Sequence, residues 1–523
     1  MDPVLKKEIP EEMKQMVNTS VRRILCLNKE TMACYGLFLL DAVLLCLATV
    51  RHTFWRDESL AWLIARDSPS LVALMHNLHY EPHPPLWHLL LYAITRFSWN
   101  PEWMKLPNLL FAIVAAGLVL FCQRLSLMTR TGIVFSYFFL FEFGVIDRNY
   151  MLGVVLLVAA TMLATGSERS KSWAVPILLS LAAMSSLPAL VLAVGIWGVY
   201  LAQEFVAKGS NDQPSSRRFL RTDLLLGTSL VAICALVSAL LILPPADSSA
   251  FLGITPYPYG AIRMLASSGK FLVKAYMPIP TLARQFWDNS YYDILPYHIR
   301  VLADLLGWSL LLGLGVYFRQ RIARLFFLTA SGIILLQYML SGRASMHHIG
   351  WLFVCLVLAL LMEHADRKMR ETERPRWQRW MLSAVLLCQV YGGLFAVAVS
   401  LRYPFSSSLQ VAEFLRSRNL DSAPLVFEPD YVGSSVLAYL QRPGAYDLEL
   451  RHQGSFIIWN RDEFLNRHVP SREELNEASG GKGVPILITE KPLTLEQEDG
   501  LKIHLLAAYN NAINSQDAYY IYR

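Results

Sequence analysis

The sequence predicts a polytopic α-helical membrane protein of about eleven transmembrane helices, with a small α/β domain after the last one. Three observations lead there. The 523 residues are 54% hydrophobic and only 17% charged, too apolar for an ordinary soluble enzyme of that length. Uncharged stretches approaching the roughly 20 residues that cross a hydrocarbon core recur from residue 32 to residue 400. None occurs from 401 to 523, where short apolar runs alternate with polar ones.

Residues 1–31 mix charges of both signs, among them Lys6, Lys7, Glu11, Glu12, Arg22 and Arg23. That is not the pattern of a cleavable signal peptide, so the segment is expected to be cytoplasmic and the first span, 32–50, an uncleaved anchor. Further spans are expected at 106–122, 131–146, 150–165, 172–187, 189–205, 222–243, 299–318, 323–340, 347–363 and 380–400. Several are short, which implies tilt or locally thin bilayer. Together they make a transmembrane module over 32–400.

Lys and Arg concentrate in cytoplasmic loops. With the N-terminus inside, the inner loops carry Arg124 and Arg130; Arg169 and Lys171; Lys208, Arg217, Arg218 and Arg221; Arg319, Arg321 and Arg324; and a cluster from Arg367 to Arg379. The extracytoplasmic side then holds loops 51–105 and 244–298, the turns 147–149, 186–188 and 341–345, and the tail domain 401–523. The stretch 84–97 (PPLWHLLLYAITRF) is too short to span. Counting it as a span would place the basic clusters outside, so it is laid along the interface as an amphipathic helix. In the tail, 424–428 (PLVFE) and 485–489 (PILIT) read as short buried strands, 432–440 as a helix and 518–523 (AYYIYR) as an edge strand.

The net charge of +6 is dispersed between spans and reports topology rather than nucleic-acid binding. Seven cysteines lie before or inside apolar segments, with no CxxC spacing, so no disulfide framework or zinc ribbon is expected. The tail has no glycine-rich nucleotide signature; docking on the membrane module or shaping an acceptor site are the roles left open for it.

Chemistry gathers in the outer segments. The first loop reads Arg56-Asp57-Glu58 after Phe54-Trp55, then Glu81-Pro82-His83-Pro84-Pro85. Paired carboxylates just beyond a transmembrane end can place a general base at the bilayer surface; they equally suit the start of an interfacial helix, where the dipole favours acids. Arg148 lies between two apolar spans, where charge is costly unless paired or functional, with Tyr150 close by. Arg343 stands at another outer boundary with His347 and His348. Guanidinium groups hold phosphate bidentately, which suits the leaving group of a lipid-linked donor. An ion pair with Asp147 or another interfacial acid is the plainer role for Arg148, and snorkelling to the headgroups for Arg343. A divalent metal held by His83, His347, His348 and an acid is possible on residue type, but the spacing carries no metal signature. Loop 244–298 adds Arg263, Lys270, Lys274, Arg284 and Tyr291-Tyr292-Asp293, a cover for a headgroup or sugar, or a loop that packs on the tail.

An anchor, an outer loop with Asp57-Glu58, His83-Pro84-Pro85 opening an apolar interfacial helix, and Arg148-Asn149-Tyr150 at an outer helix end resemble glycosyltransferase family 39 and its bacterial relatives. These are GT-C enzymes akin to protein O-mannosyltransferases and the lipid A aminoarabinose transferase. The resemblance covers roughly residues 30–200. It implies a GT-C fold, a polyprenyl-phosphate sugar as donor, a membrane-lipid carrier, and inverting transfer to an acceptor hydroxyl of a glycan, lipid or protein on the extracytoplasmic face. Asp57 is then the base, with Glu58 orienting a substrate, and Arg148 and Arg343 hold the phosphate. Ala61 departs from the family, where many members have a tyrosine, and Asp147 replaces a basic run. The bacterial inner membrane is the location the resemblance implies. A lipid-linked saccharide transporter or flippase is the alternative, although it predicts repeated halves that are not evident; a non-catalytic scaffold would not need these charged groups on one face.

Overall fold

The structure is a computed structural model and describes residues 11–166, 173–208, 214–249, 260–341, 344–364, 374–448, 451–461, 465, 467–481 and 485–523. Eight helices in it are long and apolar enough to cross a membrane: Lys29–Arg51, Pro101–Leu120, Leu187–Glu204, Thr222–Ile242, Tyr297–Tyr317, Arg321–Leu340, Met346–Glu363 and Arg376–Ser400. The chain is a polytopic α-helical membrane protein, and these eight coincide with expected spans.

Helix α1 (Glu11–Arg51) exposes Leu39, Val43, Leu47 and Val50, a stripe at helical spacing that suits lipid rather than water. The loop after it folds into α2 (Arg56–Asp67), a short helix Leu71–Asn77 and α3 (Leu86–Thr95). At ten residues α3 is about 15 Å long, half a bilayer core. It buries Trp87, His88, Leu91 and Thr95, with Trp87 and Leu91 in one cluster with Trp62 and Leu63 of α2. Helix α4 (Lys105–Leu120) follows.

The span expected at 131–146 is not one helix. Leu127–Val134 ends, Ser136 turns to an extended backbone and caps the Phe139 N–H, and a π-helical turn Tyr137–Glu142 follows. Apolar content over 131–146 predicts a span only if the backbone stays helical, and the capping serine stops it. The spans expected at 150–165 and 172–187 are also shorter than a bilayer, as α5 (Asn149–Ala164) and Ala174–Ala183. Most of α5 is buried, so protein rather than lipid surrounds it. Helix α6 (Met346–Glu363) is buried on nearly every side, as an all-round hydrophobic helix should be. In α7 (Arg376–Ser400), Gly392 and Gly393 face the break: a Cβ on Gly393 would stand 2.5 Å from the Phe135 carbonyl oxygen, and one on Gly392 2.5 Å from that of Pro278.

The tail forms a six-stranded mixed sheet from β1 (Leu425–Glu428), β2 (Ala445–Asp447), β3 (His452–Gly454), β4 (Ile486–Thr489), β5 (Leu505–Tyr509) and β6 (Tyr519–Tyr522), ordered β3-β2-β1-β4-β6-β5. The two expected buried strands are β1 and β4, parallel neighbours with Leu425 opposite Ile486, and the expected helix is α8 (Gly433–Leu440). The terminal strand β6 is not at an edge: it lies between β4 and β5. Its side chains serve two cores, Tyr519 and Ile521 on one face and Tyr522 on the other, which marks an interior strand.

This domain docks on the loops 51–105 and 244–298. Phe54 N–H donates to the Tyr439 hydroxyl at 3.0 Å, the Thr53 hydroxyl to the Ser406 carbonyl at 2.6 Å, and Arg66 to the Arg442 carbonyl at 2.6 Å. Arg284 of the 244–298 loop reaches Asn511 at 2.5 Å.

Candidate active site

The site is built where α2 and α5 begin. Asp57 and Glu58 are the second and third residues of α2, in the first turn where N–H groups and the dipole favour carboxylates. Successive helical residues point about 100° apart, so the two separate. Glu58 turns inward and is fully buried. It accepts from His52 Nε2 at 2.8 Å, from Trp55 N–H at 3.0 Å and from Asp147 N–H at 2.6 Å. Asp57 faces outward with its side chain 31% exposed.

Arg148 is the residue just before α5. Its Nη1 donates to Asp57 Oδ2 at 2.5 Å and its Nη2 to His83 Nε2 at 2.9 Å. The guanidinium stands 5.8 Å from the Trp55 ring and 5.5 Å from the Tyr150 ring, an aromatic slot that favours a cation. Burial alone would lower its pKa, but Tyr150, Asp57 and Glu81 around it raise the pKa above the ordinary value. The expected ion pair with an interfacial acid forms with Asp57 rather than with Asp147.

Asp57, Glu81, His83, His88, Arg148 and Trp459 line one cavity of about 190 Å³. Burial, then Arg148, hold His83 well below the usual histidine range, consistent with a neutral ring accepting from the guanidinium. Burial and Arg148 push His88 down to about 3, and neither of its ring nitrogens bonds another described group. Burial pushes Glu81 up to about 7, against the lowering effect of Arg148. The cavity thus presents one exposed carboxylate, one permanent cation, two neutral imidazoles and one carboxyl that titrates near neutrality.

Tyr150, His347 and His348 adjoin this group by their rings. Tyr150 stacks on His347 with centroids 5.5 Å apart and meets His348 edge-on at 6.3 Å. His348 also lines a second cavity of about 440 Å³ with Lys270, Lys274, Asp288, Asp293 and Ser345, where Lys274 pairs with Asp293 at 2.7 Å. In the 244–298 loop, Lys270 and Lys274 line this cavity and Arg284 packs on the tail. Arg343 lies outside the described residues. Among those described, the group close enough to share an ion is His52, Glu58 and Asp147, not His83, His347 and His348.

Sequence reasoning did not single out His52, His88 or Trp459. A lone histidine within the apolar run LWHLLL is the only signal His88 gives, and Trp459 reaches the cavity from a tail loop with no motif around it.

No family model and no curated protein match the chain. Among solved structures, it is similar to ArnT from Cupriavidus metallidurans bound to undecaprenyl phosphate, with 14% identity over 93% of this chain and 97% of that one and a TM-score of 0.49. The apo structure of the same protein gives 12% identity, 94% and 98% coverage, and a TM-score of 0.49. The Archaeoglobus fulgidus oligosaccharyltransferase in complex with Zn and sulfate gives 11% identity, 87% and 68% coverage, and a TM-score of 0.34.

Proposed function

We propose that the chain is an inverting glycosyltransferase that moves a sugar from a polyprenyl-phosphate donor to an acceptor hydroxyl at the extracytoplasmic face. The observation that carries this reading is the direct pairing of Asp57 with Arg148 at 2.5 Å inside one cavity, next to helices that cross the bilayer. Inversion sets the nucleophile and the phosphate leaving group on opposite faces of one anomeric carbon, so the sugar enters between Asp57 and Arg148 and the pair parts as it does.

In the reaction, Asp57 takes the proton of the acceptor hydroxyl as its oxygen bonds to the anomeric carbon. The bond between that carbon and the phosphate oxygen breaks, and its electrons stay on the polyprenyl phosphate. Arg148 holds the phosphate as it gains charge, His83 orients the guanidinium, and Glu58 positions Asp57 through the first turn of α2 rather than by touching substrate. Tyr150, His347 and His348 belong on the donor side toward the lysine-lined cavity, and Arg343 keeps the phosphate-holding role that the sequence resemblance implies. The N-terminus is placed in the cytoplasm and the tail outside, in a bacterial inner membrane, as the basic-loop pattern and the sequence resemblance suggest.

The test is sugar transfer in proteoliposomes from a panel of radiolabelled polyprenyl-phosphate sugars, comparing wild type with Asp57→Asn and Arg148→Ala. Undecaprenyl phosphate, the lipid bound in the ArnT structure, is the carrier to try first. Transfer by wild type that collapses in both folded variants supports the reading. Donor that crosses the bilayer without losing its sugar overturns it in favour of a lipid-saccharide transporter.

A further inference from the structure

We propose that His52, Glu58 and Asp147 form a buried site for a divalent cation of the zinc or manganese class, tying the outer end of α1 to the two segments that carry Asp57 and Arg148. The inference concerns the support of the site, not the reaction run there, and it stands apart from the sugar-transfer reading.

One ligand atom from each of the three residues lies within 4.8 Å of the others. All three are buried, His52 at 2% exposure and both acids at 0%. Ligand atoms at about 2.1 Å from a tetrahedral ion stand roughly 3.4 Å from one another, so the cluster closes on an ion with small side-chain shifts. An imidazole with two carboxylates is a nitrogen and oxygen donor set that suits these metals.

A second observation points the same way. Neither carboxylate oxygen of Asp147 has a partner in hydrogen-bond geometry among the described groups; the Asn108 amide, which lies near enough to act on it, is given to the Phe143, Gly144 and Ile146 carbonyls. The Asp147 N–H is given to Glu58 at 2.6 Å, and Lys105, the nearby cation that acts on the Asp147 carboxylate, is bonded to Glu102 at 2.7 Å. Two buried carboxylates side by side, one with both oxygens orphaned, are costly unless a cation balances them. A single divalent ion on a neutral imidazole cancels both charges.

The placement gives such an ion a purpose. Glu58 is the neighbour of Asp57 and Asp147 the neighbour of Arg148, so one ion bridging the inner pair fixes the backbone under the outer pair. The three ligands are therefore positioning residues.

The test is the metal content of the purified full-length protein by plasma mass spectrometry, together with its thermal midpoint before and after chelation and on adding zinc or manganese ions. Wild type should hold an ion in proportion to protein, and its midpoint should fall on chelation and recover with metal. His52→Gln and Asp147→Asn should lose at least about tenfold in bound metal and lose the response to added ions, whereas His83→Gln keeps both. A wild type without metal and without a midpoint response overturns the proposal, and leaves a network that shares protons only. Metal retained in Asp147→Asn but lost in His83→Gln also overturns it, by moving the ion to the cavity. If the two ligand variants do not fold, chelation of wild type and the His83→Gln content decide.

Discussion

At the start of α2 a rotation of about 100° per residue gives Asp57 and Glu58 different fates, and substitution should separate them. Asp57→Asn should leave the thermal midpoint nearly unchanged and lower transfer by about 10²–10⁴-fold, the usual share of a general base. Glu58→Gln should instead cost about 3 kcal/mol of stability, because it breaks a buried charged network, and thermal unfolding in detergent reads that loss. Glu81 gives a pH test. Its carboxyl is raised by burial from 4.5 to about 7, so the stability it contributes is fully present below about 4.5 and is lost as pH rises through about 7. The midpoint of Glu81→Gln should therefore fall less than that of the wild type between pH 5.5 and 8.5. Asp57, His83 and Arg148 were legible in the sequence because charge beside apolar spans is rare and has to be explained. The inward turn of Glu58 was not, since helix phase is set by His52 and Asp147, which sit on other segments.

At the scale of elements, length and apolarity identified the long spans, because these are the properties a bilayer selects for. The break at Ser136 escaped the same logic. Its cap is local, but the room for it comes from Gly392 and Gly393, distant in the chain. Gly393→Ala should cost about 1–3 kcal/mol, as overpacking does, seen as a lower thermal midpoint, since its Cβ would press on the Phe135 carbonyl. Strand β6 shows a related limit. The sequence AYYIYR reports a strand, but whether it ends up at an edge or inside depends on β5 arriving beside it, and no local pattern encodes that.

The whole molecule joins a membrane bundle to a sheet domain across the cavity. Replacing Tyr439 with Phe should leave the Phe54 N–H without its acceptor, at a cost of about 1–3 kcal/mol, and loosen the first turn that presents Asp57; slower transfer with a lower midpoint is expected. If the tail lies outside the cell, a cysteine at the exposed Leu495 in a cysteine-free background should react with a membrane-impermeant maleimide in intact cells; protection until lysis would place it inside. The docking bonds also join the two ends of synthesis. Thr53 to Ser406 spans 353 residues, Phe54 to Tyr439 385 and Arg56 to Gln516 460. A nascent chain cannot form them until residues as far as 516 have been made and have reached the side of the first loop. The wall that Trp459 gives the cavity is therefore added long after the first loop is made, and a chain stalled before that point has an open site.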